Sequence, residues 1–175
     1  MTKVNRRSFR RMTVFSASGG DPGARPAITA ALLRGVGLML QAHGFATLAE
    51  VPLANGRRAD VMALNRKGEI WIVETKSGLA DFAADAKWPE YRAYCDALLF
   101  GVAEDFPQAV LPLDCGLIVA DRFGGEILRP PPLHPLAASR RKALILGFGR
   151  LAAQRLARQD APTTPRRDSA YEEPL

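Results

Sequence analysis

Apolar residues recur in the first part of the chain with the period of a helix. The positions are Ile28, Leu32, Val36, Met39 and Leu40. Their spacing of three or four residues is that of one helix face. Pro26 suits the first turn of such a helix and Gly44 suits its end, so the pattern predicts one amphipathic helix between these two residues.

Three strands are predicted next, in three short segments that are rich in apolar residues. The segments span residues 45–53, 57–65 and 69–77. Short apolar runs bounded by turn residues are typical of buried strands. Asn55-Gly56 predicts a two-residue turn between the first two strands, and a tight turn centred on Lys67 is predicted between the second and third. The three strands are expected to form an antiparallel meander.

Beyond Gly78 the apolar spacing again becomes helical, with Pro89 at the start of a second helical piece. A short apolar strand follows at residues 98–102. Because a helix separates it from the third strand, this strand is expected to lie parallel to a strand of the same sheet.

The last part of the sequence predicts a hairpin and a final helix. Residues 115–121 and 126–130 have the pattern of two strands joined across 122–125, and three consecutive prolines at 130–132 end the sheet region. A helix from about residue 136 to 158 is expected to pack on the outside. The predicted fold class is therefore α/β with a mixed sheet, in the order α-β-β-β-α-β with an added β-hairpin and a C-terminal helix.

Composition and charge divide the chain into three regions. A chain of 175 residues with 47% hydrophobic composition is expected to form one domain, here residues 26–159. Residues 1–25 and 160–175 lack a sustained period and are predicted to be disordered. The net charge of +6 belongs to the ends, since residues 27–139 contain ten basic and thirteen acidic side chains. The basic ends favour either nucleic-acid contact or solubility, and both interpretations stay open.

Several classes of protein are disfavoured by the sequence. The longest uncharged run has 15 residues, at 35–49, whereas a membrane-spanning helix needs about 20 apolar residues. The N-terminus has no apolar core of a secretion signal. Two isolated cysteines and two histidines argue against a zinc site and for a reducing compartment. A cytoplasmic protein without a membrane partner is expected.

The end of the third strand carries the main candidate for chemistry. Glu74 and Lys76 share one strand face, and a turn centred on Lys67 places Asp60 opposite Glu74. Opposed residues in a hairpin have Cβ atoms about 5 Å apart, so two carboxylates are expected to meet there. Their repulsion predicts a bound divalent cation, and Mg²⁺ is commonly held by such oxygen ligands. A solvated ion pair at the strand end is the alternative.

The same residues carry a resemblance to a known family. "RADV" followed by "VETKS" resembles the PD-(D/E)xK nuclease fold, which includes restriction enzymes and Holliday-junction resolvases. Together with "DFAADAKWPEYRAYCD", "GLIVADRFGGEILR" and "HPLAASRRKAL", the segments resemble the MmcB family of DNA repair proteins over roughly residues 28–153.

The resemblance implies roles for individual residues of the motif. Asp60 and Glu74 would be metal ligands and catalytic residues, with Mg²⁺ or Mn²⁺ as the cofactor. The backbone carbonyl of Thr75 would be a third ligand, and Lys76 would orient the attacking water. Ala59 stands where the nuclease motif has proline.

Glu50 is a further candidate ligand, because many resolvase-like proteins have an acidic residue in the first helix and this chain has none between residues 28 and 43. A two-residue turn at Asn55-Gly56 would place Val51 opposite Asp60. A bulge near Pro52 would then be needed to turn Glu50 inward, and a surface charge is the alternative.

The segment after the motif supplies candidate DNA contacts. In related nucleases, polar residues of this segment complete the site, which points to Lys87 and Tyr91, with Asp85 and Arg92 as neighbours. Lys87 and Arg92 would contact phosphates and Tyr91 would stack on a base or sugar. A core position is the alternative for Tyr91.

Two functions are carried forward from the sequence. The first is a DNA repair protein that acts as a metal-dependent endonuclease on structured or damaged DNA. The second is a DNA-binding or recruiting module of a repair complex that has lost the chemistry. DNA and other DNA repair proteins are the expected partners, and a homodimer stays open.

Overall fold

The computed structural model describes residues 24–160, and side chains from Pro26 onward. The segments predicted to be disordered, 1–25 and 160–175, lie almost entirely outside the described residues. Three α-helices and six strands occur between these bounds, in addition to two 3-10 helices: α1 (Ala24–Ala42), β1 (Ala46–Pro52), β2 (Arg58–Leu64), β3 (Ile70–Lys76), α2 (Leu79–Ala84), β4 (Ala97–Val102), β5 (Gly116–Asp121), β6 (Gly124–Arg129) and α3 (Ala138–Asp160). No helix between Ala24 and Asp160 is both long enough and apolar enough to cross a membrane.

The six strands form one mixed sheet in the order β1-β2-β3-β4-β5-β6. The first three strands are antiparallel, β3, β4 and β5 run parallel, and β6 is antiparallel to β5. The predicted meander, parallel fourth strand, terminal hairpin and final helix are therefore confirmed. The parallel β4–β5 pair is a feature for which the sequence made no prediction.

Each face of the sheet is covered by a different helix. On one face α1 buries Leu32, Val36 and Leu40 to 1% exposure or less. On the other face α3 packs Phe148 against the core that contains Ile72. Alternation along β3 places Glu74 and Lys76 on this second face, so the polar end of the strand continues a buried apolar surface.

The helical segment predicted beyond Gly78 is shorter than expected. Only α2, with six residues, is α-helical, and Trp88–Tyr94 form a 3-10 helix. Cys95 is already extended, and Ala97 pairs with Trp71 of β3. The chain leaves the helical conformation early because it must enter the sheet as β4.

Asp96 fixes this entry into the sheet. Its carboxylate is 4% exposed and accepts hydrogen bonds from Ile70 N at 2.8 Å and from Leu136 N at 2.9 Å. Arg141 of α3 donates two more, both of 2.6 Å. Burial alone would raise the pKa of Asp96, but these hydrogen bonds outweigh it and the pKa is lowered. One carboxylate thus ties α3 to the start of β3 and β4.

The turn between β1 and β2 differs from the prediction. Leu53 N donates to Arg57 O at 2.8 Å and three residues lie between them, so the turn has three residues instead of two. Gly56 has a φ of +77°, as a three-residue loop with a left-handed position requires. The extra residue shifts the register by one, and Val51 pairs with Ala59. Glu50 is consequently level with Asp60 without a bulge at Pro52.

Candidate metal centre

Strands β2 and β3 separate just beyond the pair Val61–Val73, and Asp60 and Glu74 are the next opposed positions. Asp60 N donates to Glu74 Oε1 at 3.3 Å. Thr75 N and Thr75 Oγ1 both donate to Asp60 Oδ2 at 2.8 Å. The Asp60 carboxylate therefore accepts the Thr75 N–H in place of a backbone carbonyl of β2. The two carboxylates meet as the predicted register requires.

The carboxylate of Glu74 lies in an unfavourable environment for a negative charge. The residue is 3% exposed. Burial raises the pKa of Glu74, and the neighbouring Asp60 carboxylate raises it further, from 4.5 to about 8. Within residues 24–160, Asp60 Oδ1 and Glu74 Oε2 accept no hydrogen bond. Glu74 therefore holds a proton near neutral pH unless a cation compensates the charge of its carboxylate.

Lys76 is buried beside the pair but its ammonium group binds a different carboxylate. The residue is 5% exposed, and Nζ donates to Asp85 Oδ2 at 2.5 Å. The other oxygen of Asp85 accepts the backbone N–H of Lys87 at 3.0 Å. Burial alone would raise the pKa of Asp85, but the hydrogen bonds from Lys76 and Lys87 outweigh it and the pKa is lowered. Lys76 and Asp85 therefore form a charged pair.

The backbone of Thr75 borders the carboxylate pair. Its N–H points to the β2 side, towards Asp60, and a strand residue directs its N–H and C=O to the same side. The Thr75 carbonyl is thus on the side where β2 and β3 separate. No group of three or more His, Cys, Asp or Glu side chains within the described range is close enough to hold a metal ion. The oxygen atoms that could hold a metal ion here are those of the two carboxylates and of this carbonyl.

Glu50 is level with Asp60, but its side chain makes other contacts. It forms an ion pair with Arg58 at 2.9 Å and is about half exposed. Its φ of 52° is left-handed, which is uncommon for a residue with a side chain. Arg155 of α3 donates to the Glu50 carbonyl at 2.8 Å and helps hold this conformation. The structure shows no hydrogen bond between Glu50 and Asp60 or Glu74.

Tyr91 lies beside the carboxylates but is buried. It is 7% exposed, and its hydroxyl donates to Arg58 O at 3.0 Å. Burial raises the pKa of Tyr91, and the nearby carboxylates of Glu74 and Asp60 raise it further. The core interpretation of Tyr91 is favoured, because stacking on a base requires an accessible ring face.

Lys87 and Arg92 differ in whether their side chains already have an ion-pair partner. Lys87 is exposed, and its ammonium group has no ion-pair partner in residues 24–160. Arg92 binds the Asp114 carboxylate at 2.7 Å, and its guanidinium lies 5.6 Å from the centre of the Trp88 ring. Of the two predicted phosphate contacts, Lys87 is free to make one, whereas Arg92 already has an anionic partner.

Sequence reasoning missed the ion pairs that shape the surroundings of the site. Glu90 binds Arg57 through two hydrogen bonds of 2.9 and 2.8 Å, which ties the 3-10 helix to the β1–β2 turn. Asp96 was not singled out either, although an acidic residue directly before the fully buried strand β4 is a signal of a structural role.

The comparisons with known proteins agree with this architecture. The model of the family described as "DNA repair protein MmcB-like" matches residues 20–163. A solved structure of a protein of unknown function from Silicibacter pomeroyi is 47% identical, with a TM-score of 0.73 over 75% of this chain and 91% of that one. None of the curated proteins compared with the chain matches it significantly. The family description indicates a role in DNA repair and DNA as the partner, and since its model spans most of the sequence, the chain belongs to the MmcB-like family of DNA repair proteins.

Proposed function

We propose that this protein is a divalent-cation-dependent endodeoxyribonuclease that hydrolyses phosphodiester bonds in structured or damaged DNA. The observation that supports it most is the carboxylate pair at the open end of β2 and β3. Glu74 is 3% exposed and faces Asp60. A buried carboxylate next to a second one destabilises the fold, and such an arrangement is typical of functional sites.

The residues present fit Mg²⁺ or Mn²⁺. Asp60 and Glu74 each have one carboxylate oxygen without a hydrogen bond inside the described range, and the Thr75 carbonyl is a third hard oxygen. Mg²⁺ is commonly held by one or two carboxylates together with waters and substrate phosphate. When bound, such a cation supplies a Lewis acid and offsets the charge of the scissile phosphate.

The protein's own groups would then position the reactants. Thr75 donates two hydrogen bonds to Asp60 Oδ2, which fixes the Asp60 carboxylate. The ammonium group of Lys76 has three donors, and Asp85 accepts one of them. The remaining donors would orient the attacking water or bind a phosphate oxygen. Asp85 therefore holds the Lys76 ammonium group in place without using all its donors.

The proposed substrate is DNA whose structure, not sequence, is recognised. The described elements contain one sheet with helices on both faces and no helix-turn-helix or zinc finger, so no element for reading base edges is evident between Ala24 and Asp160. Lys87 is exposed near the site, and the basic ends of the sequence would add contacts to phosphates.

A second candidate is a DNA-binding or recruiting repair module without catalytic activity. It is favoured by two observations on residues 24–160: no third carboxylate joins the pair, and Lys76 is bound to Asp85. The two candidates differ in whether a divalent cation is needed for the protein to act on DNA.

A cleavage assay separates them. Full-length protein is incubated with labelled branched, flapped, single-stranded and duplex DNA in Mg²⁺, Mn²⁺ or EDTA. We expect metal-dependent cleavage that is lost in Glu74→Gln and Lys76→Met and kept in Glu104→Gln, whose carboxylate is exposed. DNA binding that is equal in EDTA, without cleavage of any substrate, would support the recruiting module instead.

A further inference from the structure

The turn between β5 and β6 presents an exposed aromatic ring. Phe123 is 72% exposed and is the only exposed Phe, Tyr or Trp in the part of the chain whose side chains are described. The guanidinium of Arg122 lies 4.6 Å from the centre of its ring. Arg122 forms no ion pair within residues 26–160. The turn therefore displays an exposed aromatic ring with a guanidinium over it that has no anionic partner in this range.

The backbone of this turn is held in one conformation. Asp121 Oδ1 accepts the N–H groups of Phe123 at 2.7 Å and of Gly124 at 3.1 Å. Helix α1 packs directly on the turn at Gly35, where an added Cβ would lie 1.7 Å from the carbonyl oxygen of Asp121. The exposed ring is thus carried by a turn whose backbone is already held in place. Binding of a ligand to the ring would therefore cost little backbone entropy of the turn.

The turn also lies at the same edge of the sheet as the candidate metal centre. Because β3, β4 and β5 are parallel, their carboxyl ends share one edge, and Glu74, Phe100 and Leu117 are level across the three strands. Strand spacings of about 4.8 Å and a rise of about 3.3 Å per residue place Phe123 about 15–20 Å from Glu74. Ligands of open α/β sheets bind at this edge.

Unpaired bases are the ligand that this pair of side chains fits. Every base has a π face that stacks on an aromatic side chain, and arginine contributes cation–π and phosphate contacts. In a continuous duplex the base faces are covered by their neighbours, so an aromatic ring finds them only in single strands, flaps or junctions. Single exposed apolar residues are common on protein surfaces. One of them, Leu113, lies at the opposite edge of the sheet before β5, is 83% exposed and serves as the control below.

We propose that the Arg122–Phe123 turn is a binding site for single-stranded DNA, with an unpaired base stacked on Phe123 and Arg122 on the adjacent phosphate. This inference deepens the proposed nuclease function. It rests on that function for the claim that DNA is cleaved at this edge of the sheet. It assigns to the protein substrates that have a single-stranded segment within about 15–20 Å of the cleaved bond.

Binding in EDTA tests the site independently of cleavage. Fluorescence anisotropy of a labelled oligothymidylate strand and of a blunt duplex is measured with full-length wild type, Phe123→Ala, Phe123→Trp and Leu113→Ala. We expect Phe123→Ala to weaken single-strand binding about 5- to 150-fold and to leave duplex binding unchanged. Phe123→Trp is expected to keep the affinity, with its added fluorescence quenched on binding, and Leu113→Ala is expected to match wild type.

The outcomes distinguish the site from the nuclease function. If single-strand binding by Phe123→Ala is within twofold of wild type, or falls equally for duplex, the proposed site is wrong even where Glu74-dependent cleavage is observed. If Phe123→Ala loses single-strand binding while wild type cleaves nothing in Mg²⁺ or Mn²⁺, the site stands and the nuclease proposal falls.

Discussion

Replacing Glu74 by glutamine is expected to stabilise the metal-free protein above pH 5. The pKa of Glu74 is raised from 4.5 to about 8 because the side chain is buried beside Asp60. Below pH 4.5 the carboxyl group is protonated in both the folded and the unfolded state. Between pH 4.5 and about 8 the unfolded chain loses the proton and the folded protein retains it, so the stability of wild type falls as the pH rises.

The size of the effect follows from the shift. Each pH unit in this interval is expected to lower the free energy of unfolding of wild type by about 1.4 kcal/mol. At pH 7 the accumulated loss is about 3 kcal/mol, and at pH 5 it is below about 1 kcal/mol. Glutamine has nearly the same shape, stays neutral and keeps an oxygen that can accept the Asp60 N–H. It removes this loss at every pH.

Urea unfolding in EDTA at pH 5, 6, 7 and 8 measures the difference between the two proteins. We expect Glu74→Gln to gain stability over wild type with rising pH, while Glu104→Gln, the same change at an exposed site, stays within about 0.5 kcal/mol of wild type. A difference that does not vary with pH, or a glutamine variant less stable than wild type at pH 7, would refute the reasoning.

Four further substitutions test other parts of the structure. Asp96→Ala is expected to destabilise the protein by about 3–5 kcal/mol in thermal unfolding, because its buried donors and the partner arginine lose their acceptor; a loss below about 1 kcal/mol would contradict this. Gly35→Ala is expected to destabilise the protein, because the new Cβ would clash with backbone atoms. Gly147→Ala, on the open side of α3, is expected to stabilise it by about 0.5–1 kcal/mol. Equal melting temperatures of the two variants would contradict both expectations. Asp85→Asn is expected to lower both the melting temperature and any metal-dependent cleavage, because Lys76 is left buried without an anionic partner; unchanged values for both would count against the pair.

The sequence was sufficient for features that depend on short-range patterns. The turn centred on Lys67 sets the β2–β3 register, and the observed pair Met62–Ile72 is the one that this turn predicts. Because register follows from the turn and from alternation alone, the meeting of Asp60 and Glu74 could be predicted without a structure.

Features that depend on one residue's conformation or on distant contacts could not be predicted. A two-residue Asn-Gly turn requires both residues to be left-handed, but Asn55 is not and only Gly56 is, so the β1–β2 turn is one residue longer. This changes which residue lies level with Asp60. The partner of Lys76 depends on where the chain turns after α2, and the partner of Asp96 is 45 positions away in α3. Neither distance in sequence nor residue type identifies such partners.

The claim that the Asp60–Glu74 pair is a metal centre is tested most directly by titrating full-length protein with Mn²⁺ in an isothermal calorimeter at pH 7.5. We expect one site in wild type, lost or severely weakened in Asp60→Asn and in Glu74→Gln. Glu50→Gln is expected to bind Mn²⁺ like wild type, because Glu50 is paired with Arg58. Absence of binding by wild type, or binding that survives both changes to the pair, would contradict the metal centre.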